Sequence, residues 1–167
     1  MNTTLSVAPH VDLLRCLGVW FEVARKPQSG ESSGTRNVVW NFSDASGAAI
    51  CVSYSRIGDT GRLEESSGHA RAIDDTHARL ELSFMPEGLD WNPFARQHFW
   101  ILKIDDDYTT ALIGDPARKR LRLLHRHGRM DRSVAEDWLQ IARSQGYDTS
   151  GMAWPEQSGA INLGWQP

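Results

Sequence analysis

Between residues 17 and 126 the side chains alternate between apolar and polar with period 2, again and again, with turn-forming residues between the runs. A period of 2 sends successive side chains to opposite faces of an extended strand, whereas a helix needs a period near 3.6. The runs cover 17–26, 36–43, 49–56, 62–73, 77–85, 97–104, 109–114 and 120–126, with a further short one near 150–154. They recur about every 12 to 15 residues. The connectors supply Gly, Asp or Pro where a turn needs a positive φ, a local side-chain bond or a fixed φ: Asp44-Ala45-Ser46-Gly47, Gly58-Asp59-Thr60-Gly61, Asp74-Asp75-Thr76, Asp105 to Asp107, and Gly114-Asp115-Pro116. Connectors this short join antiparallel neighbours, and eight such strands are enough to close a barrel. Two loops are longer, around 27–35 and 86–96. The second, from Pro86 to Phe94, is apolar enough either to rim an opening or to lie on the barrel wall.

The same alternation assigns an inside. Val38, Trp40 and Phe42 share one face, as do Ile50, Val52 and Tyr54; Leu80, Leu82 and Phe84; Trp100, Leu102 and Ile104; and Leu121, Leu123 and His125. The opposite faces carry Asn37, Asn41, Ser53, Ser55, Arg79, Glu81, Lys103 and Arg122. An eight-stranded barrel has an interior that is either filled by side chains or just wide enough for one small ligand. Small residues such as Ala24, Ala49 and Ala111 favour a cavity, and its expected lining is Trp40, Phe42, Val52, Tyr54, Leu82, Phe84, Trp100, Leu102 and Leu123. Glu22 shares the parity of Trp20 and is expected to be a buried, hydrogen-bonded carboxylate near the barrel floor.

One helix follows the strands. Ser133-Val134-Ala135-Glu136 has the form of a capping box, and Val134, Trp138, Ile141 and Ala142 recur at helical spacing with Ala135 and Leu139 beside them. Gly146 stands where a helix end favours glycine. A single helix after eight strands has only the outer surface of the sheet to cover. The expected fold is therefore all-β, an eight-stranded antiparallel up-and-down barrel with one C-terminal α-helix outside. The expected organisation is a tail at 1–10, a barrel domain at 11–156 and a tail at 157–167.

Charge and composition narrow the function. With 18 Lys and Arg against 21 Asp and Glu, the chain has no basic footprint for a phosphate backbone, so nucleic acid is not an expected partner. A mean hydropathy of -0.45 and the lack of a long apolar run argue against a membrane-spanning helix. No export signal is visible in MNTTLSVAPHVDLLRCLG, which gives a cytoplasmic expectation for the chain as written. Arg15 directly before Cys16 does not suit a lipoprotein cleavage site. Two cysteines, Cys16 and Cys51, do not make a disulfide framework and are read as free thiols.

Several segments resemble the lipocalins: LGVWFEVAR at 17–25, LELSF at 80–84, IDDDYTTALIG at 104–114, LRLLHR at 121–126 and GYDTSGMAW at 146–154. The chain is most similar to the bacterial outer-membrane lipocalin group related to apolipoprotein D. That resemblance implies an eight-stranded calyx with an external helix, binding of fatty acids, lysophospholipids or other small amphiphiles, and a structural signature of Gly18, Trp20, Asp105, Tyr108 and Arg126. It further implies that Arg126 covers Trp20 at the closed end, an arrangement favoured by cation-π attraction. Periplasmic or outer-membrane placement follows by the same resemblance, with a peripheral membrane contact and a monomeric or weakly dimeric state.

No Ser-His-Asp signature, Cys-x-x-Cys, His-Glu-x-x-His or phosphate loop is present, so neither catalysis nor a cofactor or metal is expected. His125 and His127 are spaced as a pair on one strand face but have no identifiable third ligand. Two readings stand: a non-enzymatic carrier of a small lipid-like ligand, and a barrel enzyme or redox protein acting through Cys51 or His125. Cys51 is read as a buried, inert thiol and His125 as a histidine of the cavity floor.

Overall fold

The computed structural model describes residues 4–28, 34–84 and 96–158. These residues form strands β1 (Gly18–Arg25), β2 (Arg36–Ser46), β3 (Ala49–Ile57), β4 (Leu63–Ala72), β5 (Arg79–Ser83), β6 (Arg96–Ile104), β7 (Thr110–Gly114) and β8 (Leu121–His125), followed by helix α1 (Arg132–Ser144). Each strand pairs antiparallel with the next, and β8 pairs with β1 to close the barrel. The expected architecture is the one found. Among the described strands, closure gives each one a neighbour on both sides.

The element boundaries differ where local chemistry overrides the pattern. β2 continues to Ser46 because Asp44 takes a positive φ of 50° and the register shifts between Ser43 and Ser46, which moves the turn to Gly47 and Ala48. β5 begins only at Arg79, since the Asp74 carboxylate accepts the Thr76 N–H at 3.0 Å and the Thr76 hydroxyl oxygen accepts the Ala78 N–H at 3.1 Å. The run at 150–154 makes a single bridge, Arg25 with Ala153. Up to residue 95, the loop at 86–96 lies outside the described residues, as does 29–33 of the loop at 27–35. The segment before the barrel packs onto it: Ala8 and Val11 are buried, and Ala8 N–H donates to Ile101 O at 2.9 Å.

The capping box is not formed. The helix starts at Arg132, and Asp131, in the N-cap position, makes no side-chain cap bond. Glu136 instead faces two cations, with its carboxylate 3.7 Å from Arg132 and 3.6 Å from Arg143. At its other end the helix stops as expected, with Gly146 at φ 92° and Tyr147 N–H donating to Ala142 O at 3.1 Å. The buried stripe is Ala135, Leu139 and Ala142, so the helix is rotated from the expected face, and Val134 is 43% exposed.

That helix covers β7 and β8, and its coverage explains the main error of the face assignment. Trp100, Leu102 and Leu123 do not enter the barrel; they pack on its outside with Ala135, Leu139 and Tyr147. Leu121 lies with them. Phe99, Ile101 and Leu124 take the inner positions. All five residues of β7 are buried, as are Leu121, Leu123 and Leu124 of β8. When helix and barrel bury both faces of a strand, alternation of apolar and polar residues no longer tells inside from outside. A bulge between Ile101 and Lys103 then returns Ile104 to the interior.

The junction of β4 and β5 sets a tight backbone approach. A Cβ at Gly68 would lie 1.8 Å from Ser83 O and 2.9 Å from Phe84 Cα. Gly68→Ala should therefore force the two strands apart and lower stability by about 3 kcal/mol, read as a shift in the denaturation midpoint; an unshifted midpoint would show that the strands do not approach this closely.

Candidate functional site

The barrel interior divides into an apolar floor and a polar mouth. The floor is formed by Trp20, Phe42, Ile50, Phe99, Ile104 and Leu124 among others, with Leu13 and Cys16 closing it from below. The space left there is about 20 Å³. That volume suits roughly one water molecule. Burial pushes the Cys16 thiol up to about 12, although Arg126 pulls the other way, so Cys16 is a core thiol.

The five signature residues meet beneath this floor. The Trp20 indole N–H donates to Cys16 O at 2.8 Å, and the Arg126 guanidinium lies 4.0 Å from the centre of the Trp20 ring. Arg126 also donates to the carbonyls of Arg15 (2.9 Å), Leu17 (2.9 Å), Val19 (3.1 Å) and Tyr108 (3.1 Å). Gly18 has φ 103°, and a Cβ there would come 3.1 Å from Arg126 Nη1. Tyr108, at φ 55°, accepts the Asp12 N–H on its hydroxyl at 2.9 Å. Burial works against the charged form of Asp105, but hydrogen bonds from the Thr109 hydroxyl and from the N–H groups of Thr109 and Thr110 outweigh it and hold its carboxyl below the usual range. This cluster is a structural plug: most of its polar contacts are made to backbone.

Trp40 marks the boundary above the floor. Its ring lies 5.3 Å from Phe99 and 4.8 Å, edge-on, from Tyr54. Its indole N–H donates to Glu22 Oε2 at 2.9 Å, and the Arg122 guanidinium stands 5.1 Å over its ring. Glu22 has no exposed surface; Arg25 Nε is 3.2 Å from Oε1, and Arg122 Nε is 3.6 Å from Oε2. The carboxylate is buried and hydrogen-bonded, as its parity with Trp20 suggests, but it sits above the floor.

The mouth is a cavity of about 240 Å³ whose wall includes Arg25, Trp40, Tyr54, Phe84, Arg120 and Arg122. Burial, reinforced by the charge of Glu22, holds the Tyr54 phenol above its ordinary value, so it is a neutral hydroxyl; Arg25 donates to it at 3.3 Å. Of the residues expected to line a cavity, Trp40, Tyr54 and Phe84 line this one, while Phe42, Val52 and Leu82 lie in the inner core. Trp100, Leu102 and Leu123 are on the wrong side of the wall. Sequence reasoning missed the arginines because it sent charges outward by default. The signal was present: Arg120, Arg122 and Leu124 share one parity, opposite to Leu121 and Leu123.

The two alternative reactive groups face away from the cavity. Cys51 is exposed, not buried, because it alternates with the inward Ile50 and Val52. His125 is no floor residue: it stands opposite Phe21 in the register, on the other side from Trp20 and Leu124. Its Nδ1 is 2.8 Å from the Thr110 hydroxyl, and burial together with neighbouring His127 depresses its pKa. Among the described residues no three His, Cys, Asp or Glu side chains are grouped to hold a metal, and no helix is long and apolar enough to cross a membrane.

A family model described as a lipocalin-like domain matches residues 11–157. The chain is 30% identical over 158 residues to temperature-induced lipocalin-1 of Arabidopsis thaliana, covering 92% of this chain and 83% of that protein. It is 28% identical over 159 residues to the outer membrane lipoprotein Blc of Escherichia coli K12, covering 93% of this chain and 85% of that protein. Among solved structures, insecticyanin from the tobacco hornworm Manduca sexta is similar with a TM-score of 0.70 at 17% identity, covering 96% of this chain and 88% of that one, a likeness of fold.

The floor contact gives a direct test. Trp20→Ala and Arg126→Ala should each lower stability, and the double variant should lose less than the two losses added together, by about 0.5–2 kcal/mol. Strict additivity in denaturant melts would remove the stacking contact from the account.

Proposed function

The chain belongs to the lipocalin family, and from that premise we propose that it is a non-enzymatic binding protein that holds a small hydrophobic or amphiphilic molecule in the mouth of its barrel. The observation that carries this reading is the cavity of about 240 Å³ above Trp40, walled in part by the rings of Trp40, Tyr54 and Phe84. Aromatic walls bind an apolar group by taking its surface out of water and by dispersion. Within this reading the ligand is of the fatty acid or lysophospholipid class, with only a short part of its chain inside the barrel, because the floor beneath Trp40 is filled.

The Blc relatives are outer membrane lipoproteins by name, which supports placing this chain in the cell envelope with a peripheral membrane contact. Nothing in the comparisons supports the cytoplasmic expectation. We take the working state to be a monomer or weak dimer. The enzyme reading through Cys51 or His125 has no geometric support, since both lie across the wall from the cavity.

A neutral series tests the hydrophobic part alone. Binding of n-alkanols from butanol to dodecanol, followed by calorimetry and by Trp40 emission, should strengthen about fourfold per methylene over the short members and then level off. A fatty acid or a lysophospholipid should displace them. If no alcohol or lipid changes the emission or the melting temperature, the mouth is not a binding site and the reading falls.

A further inference from the structure

The seam between β1 and β2 is incomplete at the mouth end of the barrel. Cα partners run from Gly18 opposite Phe42 to Phe21 opposite Val39 and stop there, although β1 continues to Arg25 and β2 begins at Arg36. Both strands are irregular at this point: the β1–β8 register shifts between Glu22 and Ala24, and the β2–β3 register between Arg36 and Val39, where Asn37 takes φ 49°. Bulges of this kind bend a strand away from its partner. The opening is laced by residues 153–158, which follow the helix. Arg25 and Ala153 exchange backbone hydrogen bonds of 2.9 and 2.7 Å, and Asn37 N–H donates to Glu156 O at 2.7 Å. The side-chain amide of Gln157 reaches between the strands and donates to Glu22 O at 2.9 Å and to Val38 O at 3.0 Å. Asn37 and Ser158 add a reciprocal pair at 3.1 and 2.9 Å.

The two ends of this segment are held by different forces. Met152 and Trp154 pack with the apolar layer between helix and barrel, and the Arg132 guanidinium lies 3.3 Å from the centre of the Trp154 ring. Glu156, Gln157 and Ser158 carry no apolar side chain and are held by the hydrogen bonds above. Such bonds are exchanged for bonds to water when a segment lifts away, so a stretch with few buried apolar contacts opens without the rest of the fold. The closed state also carries a flaw: Gln157 Oε1 is buried with no hydrogen-bond partner among the described residues, which favours its return to water. There is space on both sides of the seam. Arg25 stands in the wall of the mouth cavity and also in the wall of an outer groove of about 650 Å³, with Thr35, Arg36, Trp154 and Glu156.

We propose that residues 155–158 are a releasable strap over a side entrance to the mouth cavity, hinged at Pro155 on the anchored Trp154. The inference rests on the binding-protein reading of that cavity and adds a route to it: the ligand passes between β1 and β2, beside Arg25, when the strap lifts. The strap contributes no residue to the described wall of the cavity. Its release therefore governs how fast a ligand enters and leaves, and not how tightly it is held.

Two measurements on the full chain separate the strap from the binding reading. Gln157→Ala removes both lacing bonds, so hydrogen exchange of the Asn37 N–H, which Glu156 O holds, should quicken about tenfold while that of the Trp40 backbone N–H is unchanged. Stopped-flow tryptophan emission with dodecanol should then show association and dissociation both about tenfold faster, at a Kd unchanged within about twofold. The opposite change comes from Asn37→Cys with Ser158→Cys in a Cys51→Ser chain: once oxidised, with the crosslink confirmed by mass, this protein should bind and release dodecanol more slowly than when reduced. Rates that stay the same in Gln157→Ala while dodecanol binds overturn the side entrance. So does an Asn37 N–H that exchanges as slowly as that of Trp40 in both proteins. A Kd that moves with one rate alone makes Gln157 a ligand contact and overturns the strap as well. Dodecanol that fails to bind removes the binding reading, and exchange at Asn37 still decides the strap, fast exchange keeping it and slow exchange removing it.

Discussion

A carboxylate with no exposed surface sits in the wall of this barrel, and the interior is arranged around it. Burying an ionised carboxylate costs several kcal/mol, roughly, unless charges and donors surround it. Glu22 meets that demand with Arg25, Arg122 and the indole N–H of Trp40. Satisfying the group fixes the orientation of Trp40, and Trp40 so fixed becomes the partition between floor and mouth. It also draws two guanidiniums toward the same carboxylate. An element that began as a problem of desolvation therefore decides where a ligand can go.

The two halves on either side of Trp40 are held by different physics. Below it, close-packed side chains leave about 20 Å³, and Arg126 seals the end by stacking on Trp20 while satisfying four backbone carbonyls. Removing Arg126 would take the side-chain donor from the part-buried carbonyls of Leu17, Val19 and Tyr108. Above it, the walls of the cavity mix aromatic rings with guanidiniums. A lipocalin barrel so divided suits a ligand with a polar head and a short buried segment better than one that threads a long chain to the floor.

The strands and the floor were legible in the sequence because each rests on a local rule. Around Ile50, Cys51 and Val52, β3 alternates between core and exposed surface, and Gly18, Trp20, Asp105, Tyr108 and Arg126 stand in an order that the fold brings to one end. What was not legible depends on tertiary context. The inner and outer faces of β6 and β8 were exchanged because helix α1 buries the outer face as thoroughly as the barrel buries the inner one, so Trp100, Leu102 and Leu123 look like cavity residues. The bulges between Glu22 and Ala24 and between Ile101 and Lys103 reset the parity, which no count of residues anticipates. The capping box failed because Glu136 has Arg132 and Arg143 within reach. The arginines of the mouth were missed for the simplest reason: a charge on a strand faces solvent in most sheets, and here it faces the cavity at the barrel mouth.

The central claim is that the barrel interior is filled below Trp40 and open and ligand-binding above it. A crystal structure with 8-bromooctanoate bound tests it most directly, because the anomalous signal locates the tail. The account predicts the bromine on the mouth side of Trp40. Bromine seated against Trp20, Ile104 or Leu124 would contradict it.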